Sequence, residues 1–458
     1  MQMRRTIASV SIVAALVWVA LIYVVWASRL LRPIADDYCF AASSGQGFLG
    51  SMADWVTRWS GDMFSIGVIV VVVGLPLVHL PWSLASAFPF LLAAASVTVV
   101  SVMLLRRART DRGTGNSWWI AVILPVIPLA WWAYWWVPVT LGDPAPDVAP
   151  RANAATYWQN LNGGIVAEML LLIGWLVISR SGRARLWVAV TGSAVLGLLA
   201  GQSGPVLAAA ALVVTAVYAW LVGDADSAWR TRRWALFPAL AVGVLAGGTL
   251  ARIAPGAVAR AHQITPALEP LSAAGLFRWT FPRAFQEMLG SFINGGTATV
   301  LMLGIAIGLM VRFIGTGIHR PSLLLNVMWL CALAVALDVF ARMSGAFAYD
   351  AYWHYIPGGA VVFLAALMAG VALSDVGSKR GSGLLLTIKF SLGAVGMVMA
   401  LSAVLTMSAE IGARSVQWEV GPAPVSGVVD IETPGSWVDQ CWVRLGEFRD
   451  LPLRGRST

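Results

Sequence analysis

An all-α polytopic membrane fold is what this chain predicts, on three observations. Of its 458 residues, 59% are hydrophobic and only 12% are charged, against about 25% charged in an average soluble domain. Apolar stretches of about 20 residues recur from end to end, the length that crosses roughly 30 Å of hydrocarbon as a helix. Basic residues fall in short runs between those stretches, the pattern that orients helices with arginine and lysine in the cytoplasm. A β-barrel would show short alternating segments instead. The net charge of +9, distributed in this way, gives no reason to invoke nucleic acid. The partner it implies is a lipid bilayer, and the expected location is the cell (plasma) membrane, multi-pass.

The first apolar run, 7–27, is too long for a signal-peptide core and shows no small-residue cleavage site. It reads as a retained helix over 7–31, with Arg4 and Arg5 inside. Five basic clusters follow: Arg106 to Arg112, Arg180 to Arg185, Arg230 to Arg233, Arg312 to Arg320, and Lys379-Arg380. With all five in the cytoplasm, the further helices are 84–105, 117–139, 161–179, 186–200, 205–222, 234–253, 289–311, 322–341, 356–374 and 384–407. That makes about eleven transmembrane helices in a domain 1–407, with a cytoplasmic N-terminus and an extracytoplasmic C-terminus. Residues 63–79 are apolar enough to cross as well, but a crossing there would invert every later loop. Pro76, Pro81 and Pro89 interrupt the region. Residues 54–80 therefore read as a juxtamembrane helix and a shallow re-entrant stretch, with non-helical backbone lining protein rather than lipid.

The long connections then fall outside: 32–62 (the first outer loop), 140–160, 254–288, 342–355 and the tail 408–458. Function is expected on that side, where the irregular segments are. The tail has Gly/Pro punctuation and β-leaning runs at 425–431 and 437–445, and reads as a small hairpin-like cap. The run Trp131-Trp132-Ala133-Tyr134-Trp135-Trp136 reads first as an interfacial aromatic belt, with sugar or lipid stacking as the other reading.

The residues with chemical promise begin with Asp36 and Asp37, in Arg32-Pro33-Ile34-Ala35-Asp36-Asp37-Tyr38-Cys39-Phe40. Adjacent carboxylates repel and want water, a cation or a shared proton. Solvated loop carboxylates at a helix end are the plain alternative, but ionisable groups at the bilayer edge tend to be functional. Outer-face cations suited to phosphate oxygens are Arg252, Arg260, Arg283 and Arg342, with Arg260 and Arg342 foremost; snorkelling or ion pairing is the alternative for each. His262 lies beside Arg260. Asp350 and His354 sit in an aromatic stretch with a sugar-binding composition. Glu168, two turns into a membrane helix, should face the bundle interior, and Gln202 could point into the same cavity, as could Tyr38. Cys39 and Cys441 both fall outside, where a disulfide between them would clamp the tail over the first loop.

A first outer loop opening on Asp-Asp and followed by an amphipathic juxtamembrane helix resembles the GT-C superfamily of integral-membrane glycosyltransferases. Asp36-Asp37-Tyr38 is similar to the Asp-Asp-x motif of the mycobacterial arabinosyltransferases. Trp59-Ser60-Gly61-Asp62 resembles a Trp-Ser-Gly-Arg element, with Asp62 where that element has arginine. Ala254-Pro255-Gly256-Ala257 resembles an Ala-Pro-Gly-Asn element, with Ala257 in place of asparagine. The resemblance covers the first loop and the general architecture. It implies a polyprenyl-phosphate sugar donor, a glycan, lipid or protein acceptor, and transfer with inversion. Asp36 would be the general base. Asp37 would orient the acceptor or help hold a divalent cation, Mg²⁺ or Mn²⁺. Other readings of the chain are a transporter or flippase, a polymerase of lipid-linked glycans, and a non-catalytic GT-C-like subunit.

Overall fold

The computed structural model describes residues 2–34, 36–58, 61–108, 118–142, 148–180, 186–202, 227–264, 352–374, 383–420 and 437–449, with a few isolated positions between and after them. The expected helices 205–222 and 289–311, and most of 322–341, lie outside the described residues. The described chain is overwhelmingly helical. Among the described residues, four helices are long and apolar enough to cross a membrane, with apolar windows at Trp82–Arg106, Gln159–Ile178, Trp234–Ala251 and Ser391–Val416. Shorter apolar helices run over Ala15–Ser28, Met63–His79, Leu186–Gly201 and Gly359–Ala372. The protein is thus α-helical with a bilayer environment.

In chain order the helices are α1 (Gln2–Ser28), α2 (Asp37–Ser44), α3 (Gly47–Arg58), α4 (Met63–Ile69), a π-helical turn (Val70–Gly74), α5 (Leu75–His79), α6 (Trp82–Ala108), α7 (Trp118–Thr140), α8 (Val148–Tyr157), α9 (Gln159–Arg180), α10 (Leu186–Gly201), α11 (Ser227–Ile253), α12 (Pro255–Ile264), α13 (Tyr352–Ser374), α14 (Gly383–Val420) and α15 (Trp437–Leu445). One core runs through α1, α2, α6, α7, α9, α13, α14 and α15, with Trp131, Phe90, Phe363, Leu104 and Trp442 among its most buried side chains.

Several expectations are corrected. The stretch 63–79 is not interrupted backbone. It is continuous helix, because the Leu75 N–H bonds the Val70 carbonyl five residues back. That wide turn ends just before Pro76, a residue with no N–H to give, which sits in the first turn of the helix that follows. The connection 254–288 opens with a helix, α12, since Pro255 suits a first helical position where no donor is needed. The expected loop 342–355 ends early, because Tyr352 to Tyr355 already belong to α13. Helix α14 continues to Val420 rather than stopping at 407. In the tail 437–445 is helix, burying Cys441, Trp442 and Leu445 on one side. The only described strands there are Val429–Asp430 and Leu453–Arg454, and they pair in parallel, so they are not a hairpin. The tryptophans of 131–136 are turned inward rather than outward as a belt would be. Trp131, Trp132, Trp135 and Trp136 are all buried: Trp132 stacks on Phe90, Trp131 lies edge-on to Phe363 and Trp135, and Trp136 donates its indole N–H to Thr156.

Two contacts set helix directions. Gly174 of α9 meets Leu196 of α10, and Gly192 of α10 meets Ile178 of α9, so these helices run antiparallel. Helices α10 and α11 run parallel and touch backbone to backbone. Gly197 lies against the Leu240 carbonyl, Gly201 against that of Val244, Gly243 against Ala194 and Gly247 against Leu198. Each helix thus offers glycines four apart, the spacing that lets membrane helices approach closely. A Gly243→Leu variant is expected to lose about 1–3 kcal/mol through overpacking. Gly248→Leu, with nothing within 4 Å of its would-be Cβ, should unfold near the wild-type temperature in detergent.

Candidate functional site

The carboxylate pair lies where α1 ends and α2 begins. Asp36 occupies the N-cap position of α2 without a capping side-chain bond, and is half-buried. Asp37 is the first residue of α2 and is fully buried. Its Oδ2 accepts the N–H of Ile34 at 3.0 Å and that of Gln159 at 3.1 Å. Its Oδ1 accepts the N–H of Asn160 at 2.8 Å. Gln159 and Asn160 open α9, whose first N–H groups have no partner within the helix. Asp37 therefore caps, from another segment, the positive end of a 22-residue helix. Burial pushes its carboxyl up, the three amide bonds pull it down and the nearby Asp36 charge raises it again; the balance lies at about 7.

Every residue of α2 is buried. Tyr38 donates its hydroxyl to the Pro33 carbonyl at 2.8 Å and sets its ring edge-on to Trp442, 4.7 Å between centroids. Phe40 stacks on Trp55 at 4.3 Å, and the Trp55 indole N–H donates to Ser43 Oγ at 2.7 Å. Cys39 and Cys441 are joined in a disulfide, with sulfurs 2.03 Å apart. Arg444 of α15 reaches Asp54 of α3 at 3.3 Å. Arg449 donates to the Leu80 carbonyl and lies 3.9 Å over the Trp82 ring. The tail is thus pinned to the first loop at its middle and to the start of α6 at its end.

The segment that meets Asp37 has unmet hydrogen-bonding capacity. The Tyr157 hydroxyl, Gln159 Oε1 and Asn160 Oδ1 are buried and have no hydrogen-bond partner. Burial raises the Tyr157 phenol above its ordinary value. Over its ring, 4.1 Å from the centroid, lies the guanidinium of Arg414 in α14. Sequence reasoning missed Arg414 because the apolar run ends near 407 while the helix does not. It missed Tyr157, Gln159 and Asn160 because nothing local marks a partner of Asp37.

Other expected site residues are dispersed or hidden. Arg252 falls in α11, Arg260 and His262 in α12, and His354 in the first turn of α13, with side chains outside the described residues. Arg283, Arg342 and Asp350 lie outside them entirely. Glu168 is buried in α9, and neither carboxylate oxygen has a hydrogen-bond partner. Gln202 lines an apolar groove of about 710 Å³, between α4, α6, α9 and α10, with Phe48, Met63, Leu92, Val166 and Leu199 among its walls. Among the described residues, no group of three or more His, Cys, Asp or Glu comes together as a metal site. No protein-family model matches the chain, and neither the curated proteins nor the solved structures contain a match.

Proposed function

We propose that the chain is a membrane glycosyltransferase of the GT-C type, moving a sugar from a polyprenyl-phosphate donor to a glycan, lipid or protein acceptor at the extracytoplasmic face of the plasma membrane. The observation that carries the reading is the Asp36–Asp37 pair set against 157–160. One carboxylate is fixed by three amides, its neighbour is partly open, and beside them are buried oxygens that lack donors. A polyhydroxyl ligand brings the O–H donors that such oxygens want.

In this reading Asp36 is the general base. It takes the proton of the acceptor hydroxyl as that oxygen bonds to the anomeric carbon. The bond from that carbon to the phosphate oxygen breaks, and polyprenyl phosphate leaves with the electron pair, already a stable anion. Asp37 holds the start of α9, and so Tyr157, Gln159 and Asn160, in place. Arg414 joins Arg252, Arg260, Arg283 and Arg342 as a candidate for the donor phosphate. Mg²⁺ or Mn²⁺ would meet a carboxylate already engaged. Asp37 Oδ2 already accepts two amide hydrogens and Oδ1 one, so the pair is not the open oxygen chelate that a hard cation takes. The lateral groove supports a lipid-linked substrate. It supports equally the second reading, a flippase that moves such a lipid without transfer.

The test is transfer from a panel of polyprenyl-phosphate sugars by the purified protein. Asp36→Asn is expected to lower the rate about 10²–10⁴-fold, the usual contribution of a positioned base, with unchanged thermal unfolding. Undiminished transfer in that variant would remove the base assignment. Lipid movement in vesicles with no transfer from any donor would leave the flippase reading.

A further inference from the structure

We infer that the apolar helix Met63–His79 does not cross the membrane: it lies in the plane of the leaflet on the carboxylate side, with that leaflet as its partner. This placement follows from relative positions alone and is independent of sugar transfer.

One end of the bundle is defined by five ties. Asp37 binds the first amides of α9. The disulfide brings α15 to α2. Arg449 brings the tail to Leu80 and Trp82, where α6 starts. Arg414, near the end of α14, stacks on Tyr157 at the end of α8. Trp136, near the end of α7, donates to Thr156 at 2.8 Å. The end of α1, the starts of α6 and α9, and the ends of α7 and α14 are therefore together. Because α9 begins at this end and α10 runs antiparallel to it, α10 finishes here. Because α11 is parallel to α10, it finishes here too, at Ala251 to Ile253.

Both flanks of 63–79 are fixed to this same end. On one side a Cβ added at Gly61 would run into the Ala251 carbonyl. On the other, the Leu80 carbonyl accepts from Arg449. A helix of 17 residues is about 25 Å long at 1.5 Å per residue, so a crossing would set its flanks at opposite ends of the bundle. The middle of the helix agrees, since Gly163, one turn into α9, packs against Ile69 and Val73. The charges agree as well. Arg4 and Arg5, Arg106 and Arg107, Arg180, and Arg230 to Arg233 flank or occupy the opposite termini of their helices. The clustered arginines are at that opposite end, the arrangement the positive-inside rule places in the cytoplasm, whereas those at the carboxylate end, such as Arg252, Arg260 and Arg414, stand singly.

The surface fits a leaflet. Phe48 is 41% exposed, Leu49 80%, Val71 50% and Leu80 39%, apolar side chains on helices with no crossing of their own to make, as in interfacial helices. Met63, Phe64, Gly67, Val68 and Val71 also form one wall of the 710 Å³ groove. The helix is then a lintel above a slot open sideways to the chains of that leaflet.

The test uses the full chain in a Cys331→Ser background, so that the disulfide keeps the two remaining cysteines. Thr57→Cys, His79→Cys and Glu447→Cys, all at exposed positions, are each treated with a membrane-impermeant maleimide in right-side-out and inverted vesicles. Thr57→Cys and His79→Cys should label fully from the side that labels Glu447→Cys in the tail, and not from the other. Labelling of either from the opposite side would overturn the inference. A nitroxide at Val71→Cys gives a second reading. Shallow depth, by relative access of oxygen and a nickel chelate, is expected; a depth at the bilayer centre would overturn it too.

Discussion

Replacing Asp37 with alanine is expected to lower the unfolding temperature in detergent at every pH, and most at acid pH. The substitution strands the amides of Ile34, Gln159 and Asn160, each bonded to this side chain alone across the loop–helix contact. An unsatisfied buried donor costs about 1–3 kcal/mol, less where water enters. The pH dependence follows from the carboxyl itself. Its folded value of about 7 lies above the ordinary 3.8, so the folded state holds its proton more tightly. The stability this group adds is complete below about pH 4 and is lost as pH rises through 7. Over that window the swing is roughly 4 kcal/mol at 1.36 kcal/mol per unit. Asp37→Asn should flatten that slope. It should also destabilise, by less than alanine, because its amide hydrogens would face one of the three N–H groups. A variant with the wild-type slope between pH 4 and 7 would show that Asp37 is not the titrating group.

Loss of the disulfide ranks second. Cys39→Ser or Cys441→Ser should reduce stability by about 2–5 kcal/mol, the usual cost of removing a native bridge. Both cysteines are buried beside Trp442, which is itself completely buried. The serine hydroxyl would enter that apolar contact without an assured partner, and the edge-on pairing of Tyr38 with Trp442 would loosen. A Cys331→Ser control should unfold as wild type, since that cysteine is exposed. If reductant shifts the wild-type transition by as much as the mutation does, the bridge is responsible. If neither shifts it, the tail is held by Arg444, Arg449 and apolar packing alone.

How much of this was legible in the chain divides along physical lines. Apolar length alone places 84–105 and 161–179 within three residues of α6 and α9, because the thickness of hydrocarbon sets both. Apart from the Cys39–Cys441 pair, residues that meet across the fold leave no such mark. Two of the three partners of Asp37 lie 122 and 123 positions away, and a carboxylate pair in sequence cannot show which member will be walled in. Helix α7 is apolar on every side, so its pattern does not distinguish a lipid-facing tryptophan from a buried one, and the belt reading fails there. The α10–α11 glycines are readable only in pairs, since Gly197 and Gly201 acquire meaning from Gly243 and Gly247 opposite. The function itself rests on a resemblance in the first loop and on the geometry around it.

The bridge between Cys39 and Cys441 spans 402 positions, and that has a consequence for biosynthesis. At about 5–20 residues per second, Cys39 is made roughly 20–80 s before its partner. During that interval the first loop waits on the proposed outer side as a free thiol, and the helix bearing the carboxylates has no lid. A ribosome that stalls, or a chain cut short before α15, would leave an inserted protein whose first loop is never sealed. The first loop is therefore sealed only after α15 has been made.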